Sequence, residues 1–303
     1  MLRRSMIVVV FAVVAVSATL SAQKTVPQGT SMLVQPAWLA AHLSDRNLVI
    51  LHVGGDRRSY DAGHIQGARF LALSDIAAPL NGIPNQLPPV RDLKAAFERL
   101  GVGDHSRVIL YGDMFGVLAA RAYFTFDYLG HGSSAALLDG GLENWSKEHE
   151  VVRTVPANSS AAVLTVHPHP ELIMDLAGVK EAISAKNAAL IDARSPADYA
   201  GQNHSLPRPG HIPGAKNVFW GEMLVSQQNP VFKPISEIRE RYEAAGVKPG
   251  AKVVVYCQSG LQASHDYFTL KLAGFRPVLY AGSFADWSTA FATPVEIGAG
   301  GQH

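Results

Sequence analysis

Three landmarks in this chain occur twice, in the same order. The stretch His64-Ile65-Gln66-Gly67-Ala68 returns as His211-Ile212-Pro213-Gly214-Ala215. The apolar run 107–111, ending on Tyr111, returns as 252–256, ending on Tyr256. Gly140 and Gly141, shortly before Trp145, return as Gly282 before Trp287. The copies lie about 145 residues apart in all three cases, far beyond a solenoid period and close to the size of a whole domain. The chain is therefore a duplicated domain, and whatever fold it adopts must be complete in roughly half its length.

Each half alternates strand and helix patterns. In the second half, residues 189–192 and 278–280 are short apolar strands, and 253–256 is a β-branched run suited to a strand covered on both faces. Residues 237–245 and 264–273 have helical spacing and stop at Gly246 and Gly274. The first half repeats the order, with strands at 48–53, 108–111 and 136–138 and helices at 91–100 and 117–129. This alternation predicts the α/β class, with a mostly parallel sheet and helices on both faces in each half. The stretch 151–170, with Pro156, Pro168 and Pro170 around Asn158, Ser159 and Ser160, reads as a linker. The expected domains are 32–150 and 171–297.

Residues 1–22 belong to neither. Arg3 and Arg4 precede an apolar run from Met6 to Leu20, and Ser21-Ala22 follow, the pattern of a signal peptide. The run is short for a membrane span, which needs about 20 apolar residues, though an uncleaved anchor is the alternative. Export is expected, to the periplasm in a Gram-negative cell or otherwise by secretion. A formal net charge of +1 gives no reason to expect a nucleic-acid partner, or a membrane surface once the signal is removed.

Cys257 is the sole cysteine, so an exported chain would carry no internal disulfide. A lone thiol in an oxidising compartment is a liability that a small apolar residue would avoid. Free cysteine is most often an inert core residue, but the setting of Cys257 argues otherwise. It directly follows the buried strand 253–256 and precedes Gln258-Ser259-Gly260-Leu261-Gln262 and then a helix. Ligands of open α/β sheets bind beyond the carboxyl ends of strands. A tight glycine-containing loop entering a helix aims backbone N–H groups at one point. A cysteine there is expected to react as the thiolate, and its persulfide would be an anion in the same cradle.

The strand-then-Cys-x-x-Gly loop, the Gly-His-Ile-Pro-Gly-Ala stretch at 210–215, the Asp192-Ala193-Arg194 segment and Trp287 resemble the tandem-domain rhodanese family. That family includes thiosulfate and 3-mercaptopyruvate sulfurtransferases. The resemblance covers nearly all of residues 32–292. It implies two rhodanese-like domains of which only the second is catalytic, and ping-pong transfer of sulfane sulfur through a persulfide on Cys257. Gly112 stands after Tyr111 where Cys257 stands after Tyr256. The donor would be a small anion, the acceptor a thiol or cyanide, and no cofactor or metal is implied. Substrate contacts are expected from Gln258, Ser259, Gly260, Leu261 and Gln262, with Arg208 as a fork for a donor carboxylate.

The loop departs from both family patterns. Gln258 and Gln262 stand where thiosulfate-type members carry cations, and Gln258 replaces the first glycine of the mercaptopyruvate-type Gly-Ser-Gly. The segment Asn85-Gln86-Leu87-Pro88 lacks the histidine that would work with the loop serine, and Asp75 is the nearest acid. Asp198 replaces one of the family's arginines. A loop without a cation favours 3-mercaptopyruvate over thiosulfate. Arg194 is expected to tie loops together, and His64 and His211, present in both halves, to anchor loops by hydrogen bonds. Trp145 and Trp287 read as packing anchors, and His167 with His169 is too small a set for a metal. The phosphatases of this fold place Arg six residues after the cysteine, where this chain has Ala263. The competing reading is a non-enzymatic exported module that binds a sulfur species or a protein partner.

Overall fold

The computed structural model describes residues 31–156, 162–204 and 206–298. The expected signal peptide, residues 1–22, and part of the expected linker lie outside them. The first half runs β1 (Leu33–Val34), α1 (Pro36–His42), β2 (Leu48–Gly54), α2 (Arg58–Ala62), β3 (Arg69–Ala72) and α3 (Leu73–Ile76). A hairpin of β4 (Ala78–Leu80) and β5 (Ile83–Gln86) follows, then α4 (Val90–Arg99), β6 (Arg107–Gly112), α5 (Val117–Tyr128), β7 (Ala135–Leu138) and α6 (Gly141–Trp145). The second half runs β8 (Ile173–Met174), α7 (Leu176–Ala185), β9 (Ala189–Asp192), α8 (Pro196–Tyr199), β10 (Lys216–Asn217) and α9 (Ile235–Ala244). It ends with β11 (Lys252–Tyr256), α10 (Leu261–Leu272), β12 (Arg276–Tyr280) and α11 (Ser283–Thr289).

Each half builds a five-stranded sheet, ordered β1-β7-β6-β2-β3 and β10-β9-β11-β12-β8. Every pairing in both sheets is parallel. The α/β architecture with helices on both faces is thus as the alternation implied. Consecutive strand residues point to opposite faces, and the cores follow that rule. Leu51, Val53, Leu110, Val253 and Val255 enter one inner core, which continues from the first half into the second. Ile50, Ile109 and Tyr111 enter an outer core with Trp145. Val254 and Tyr256 enter a second outer core with Trp287.

The inner core is shared because α5 packs against α10. Tyr123 meets Phe268 edge-on at 5.0 Å, and Phe124 meets Tyr267 at 4.9 Å. Tyr267 donates to Asp127 Oδ2 at 2.6 Å, and the Lys271 ammonium pairs with the same carboxylate. No helix among the described residues is long and apolar enough to cross a membrane.

Candidate active site

The ends of β9 and β11 lie side by side, with Tyr256 in register with Asp192. Both residues are buried and fix the loops around them. Tyr256 accepts from the Ile212 N–H at 3.1 Å, and Tyr111 accepts from the Ile65 N–H at 3.1 Å at the equivalent place in the first half. Burial pushes the Tyr256 phenol well above its ordinary pKa, so it stays neutral. His64 and His211 lie 2.8 Å through Nδ1 from the Tyr60 and Tyr199 carbonyls, and stack on those rings. Arg194 clamps Asp192 and donates to Gly210 O at 2.8 Å. The two tyrosines, Tyr111 and Tyr256, and the two histidines serve loop geometry in both domains, while the Asp192–Arg194 clamp belongs to the second domain alone.

Cys257 follows β11 directly and is 1% exposed. Its N–H donates to Ser283 Oγ at 3.2 Å, and its carbonyl accepts from Phe284 N at 2.9 Å. The Gly260 N–H donates to Cys257 Sγ at 3.1 Å. Gly260 has φ 91°, and a Cβ there would stand 2.9 Å from Ala281 O, so the position requires glycine. This left-handed residue caps α10, which therefore starts at Leu261, earlier than the spacing from Ser264 predicts. Leu261 and Gln262 accordingly form the first helical turn rather than loop. The N–H groups of that turn have no intrahelical partners and converge on the same end of the helix. Gln258, Ser259, Leu261 and Gln262 are each half-buried around the cysteine.

The first domain completes the site through its hairpin. Asn85 Nδ2 donates to Ser259 Oγ at 2.9 Å, and Gln86 Nε2 donates to Ala281 O at 3.0 Å. An amide thus holds the loop serine where the family pattern has a histidine. Asp75 bonds Arg99 at 2.8 Å, so no Ser-His-Asp relay is assembled from these groups. Behind the hairpin, Arg121 Nη2 donates to Asn85 O at 2.6 Å. Asn85, Gln86 and Arg121 were not expected as contributors to the site. The sequence signals were the place of Asn85-Gln86 in the segment that matches the family's histidine and an arginine inside the otherwise apolar run 117–124.

Arg208 departs from expectation. Its Nε donates to Ser288 O, its Nη1 to Thr293 O, and its Nη2 to Trp287 O, Ala290 O and Thr293 Oγ1. All three nitrogens are spent on carbonyls and a hydroxyl at the far end of α11 from Cys257. A helix C-terminus presents four unbonded carbonyls, and a guanidinium satisfies them as well as it would a carboxylate. Arg208 ties down that end and does not offer the expected fork. In the first domain, Gly112 stands where Cys257 does, and a Cβ on it would lie 2.0 Å from Val53 O.

A doubled parallel α/β domain, with a cysteine on the central strand's end in one copy and glycine in the other, defines a tandem enzyme of rhodanese architecture. The chain belongs to the rhodanese family: the rhodanese-like domain model matches it twice, over residues 35–148 and 175–290. A sulfur carrier protein of Thermus thermophilus, TtuD, is 32% identical over 88% of this chain and 97% of its own length. A probable 3-mercaptopyruvate sulfurtransferase of Pseudomonas aeruginosa is 32% identical over 89% of this chain and 99% of its own. A thiosulfate sulfurtransferase of the same organism is 30% identical over 88% of this chain and 97% of its own. The protein is a sulfurtransferase. The anaerobic ergothioneine biosynthesis enzyme of Chlorobium limicola shares the fold, with a TM-score of 0.77 at 22% identity over 88% of this chain and 70% of that one.

Proposed function

We propose that the protein moves sulfane sulfur from a small anionic donor, 3-mercaptopyruvate or thiosulfate, to a thiol or cyanide through a persulfide on Cys257. The observation that carries this reading is the Gly260 N–H donating to Cys257 Sγ at 3.1 Å at the start of α10. A donor N–H and a helix N-terminus both favour an anionic sulfur there. The Cys257 thiolate attacks the donor's outer sulfur, and the S–S or S–C bond to the rest of the donor breaks. Thiosulfate leaves as sulfite. Mercaptopyruvate leaves as pyruvate, its thiol proton passing to the carbon that has lost sulfur. The acceptor then attacks the terminal sulfur, giving thiocyanate from cyanide or a persulfide from a thiolate, and Cys257 returns as thiolate. Gln258, Ser259 and Gln262 border this path, and the first domain is catalytically inert. The protein does this outside the cytoplasm, after loss of residues 1–22.

Mass spectrometry of the purified protein after each donor tests the mechanism. The expected product is one added sulfur atom on the peptide containing Cys257, removed by cyanide. Absence of the adduct with both donors, or turnover retained in Cys257→Ser, refutes it. Cell fractionation with sequencing of the mature N-terminus tests export; recovery in the cytoplasm with Met1 retained refutes it.

A further inference from the structure

Arg121 lies on α5 in the first domain and is 0% exposed. Its Nη2 donates to Asn85 O, while its Nε and Nη1 have no hydrogen-bond partner among the described residues. The carboxylate on the same helix, Asp127, is taken by Tyr267 and Lys271. No carboxylate among the described residues forms an ion pair with Arg121. A dehydrated guanidinium without a counter-charge is costly, so an anion is to be sought beside it. What stands beside it is the sulfur cradle: a Cβ on Gly260 would lie 3.6 Å from Arg121 Nη1, and the Gly260 N–H holds Cys257 Sγ.

The duplication supplies an internal control. Arg121 follows Gly116, the left-handed cap of α5, at the same interval at which His265 follows Gly260, the cap of α10. The two occupy equivalent places on helices that pack on each other. His265 stacks on Phe232 at 5.2 Å, and Phe232 lines a small cavity with Gly112 and Gly116 of the first domain. So Arg121 lies beside the strand-end loop of the second domain, and His265 approaches that of the first through Phe232. Where the loop has a cysteine, the residue is arginine. Where it has Gly112, the residue is a histidine that burial lowers to about 3, and so is neutral. Burial lowers Arg121 only to about 10, with a thiolate at Cys257 opposing the shift, so it stays charged at neutral pH.

We propose that Arg121 is the fixed counter-cation of the reactive sulfur, supplied across the domain interface to a loop that carries no cation of its own. The proposal rests on Cys257 as the sulfur-transferring residue. It suits both halves of the reaction, because thiolate and persulfide each carry one negative charge. The other cation that bears on Cys257, Arg194, is already paired with Asp192 at the end of β9, and the buried acid on α10, Asp266, is held well above its ordinary pKa by burial and so is neutral. On α11, Asp286 accepts from Tyr280. Arg121 acts as a positioning residue, setting the charge state of the sulfur without itself contacting a donor.

The test is the pH dependence of Cys257 alkylation by iodoacetamide in the full chain, where the sole cysteine makes the readout specific. Arg121→Met is expected to move the midpoint of the rate profile up by about one unit or more, slowing alkylation about tenfold at pH values below both midpoints. Arg121→Lys is expected to keep the midpoint close to that of the unsubstituted protein. Arg121→Gln, which retains a donor for Asn85, replaces the Met variant if that one does not fold, with the same upward shift expected. A folded Met or Gln variant with an unmoved midpoint overturns the proposal, as does a Lys variant shifted as far as the uncharged ones. Sulfur uptake from thiosulfate or 3-mercaptopyruvate is measured on the same samples. A profile that depends on Arg121 in a protein that takes up no sulfur upholds the charge pairing and removes the sulfur-transfer reading. Sulfur uptake with an unmoved profile does the reverse.

Discussion

Restoring the missing thiol to the first domain by Gly112→Cys is expected to fail, for a reason visible in the backbone. Gly112 pairs in register with Val53 on the neighbouring strand β2. A Cβ at Gly112 would meet Val53 O at 2.0 Å, Val53 C at 2.8 Å and Val53 N at 2.9 Å. All three are main-chain atoms, so no rotamer relieves the contact. Ordinary van der Waals separation would require β2 and β6 to part by about 1 Å or more at the sheet's centre. Overpacking costs about 1–3 kcal/mol where side chains can adjust. Because the backbone must move here, a loss near 3 kcal/mol is expected. At about 2–4 °C per kcal/mol for a chain of this size, that is a fall of roughly 6–12 °C in the thermal midpoint. The assay pairs thermal unfolding of Gly112→Cys in a Cys257→Ser background with mass spectrometry after exposure to both donors. A variant of unchanged stability that takes up sulfur on the introduced thiol would refute both the steric argument and the inertness of the first domain.

Other consequences are open to direct measurement. Arg208→Ala should lower stability by about 2–3 kcal/mol through loss of charged hydrogen bonds at the end of α11, leaving KM for both donors unchanged; a selective rise in KM for 3-mercaptopyruvate would restore the carboxylate role. Gln258→Arg should favour thiosulfate over 3-mercaptopyruvate by about ten- to a hundredfold in kcat/KM, the worth of one charge-assisted bond; an unchanged ratio would show that the half-buried position does not face the donor. Ser259→Ala removes the acceptor for Asn85 Nδ2 and should lower kcat/KM by about two- to tenfold; an activity loss of several thousandfold would instead mark Ser259 as a proton carrier. Residues 171–303 expressed alone should aggregate, since Tyr267 and Phe268 lose the aromatic partners they have on α5; a soluble monomer of full activity would count against the shared core.

What could be read in the sequence and what could not divide along the line between local and cross-domain physics. The buried strands were legible because β-branched runs such as 253–256 report burial on both faces without reference to a partner. The setting of Cys257, at a strand end before a helix, was legible because strand, glycine and helix succeed one another in the chain. The start of α10 was misplaced because apolar spacing does not mark a cap; Gly260 does, through its φ. Arg208 misled because a guanidinium fits helix-end carbonyls and a carboxylate equally well, and only the fold says which is nearer. Asn85 and Gln86 were illegible as contributors because their partners, Ser259 and Ala281, lie more than a hundred residues away on the other copy of the domain; Arg121 bonds within its own copy, to Asn85 O, and was illegible because the Gly260 loop it approaches belongs to the other copy. Duplication explains why such contacts arise there. Two equivalent helices packed on each other place Arg121 beside the strand-end loop of the second copy, so that, as proposed above, a nucleophile in one copy draws its counter-charge from the other. On the proposed reading, the first copy, with glycine in place of the cysteine, is still required for the chemistry.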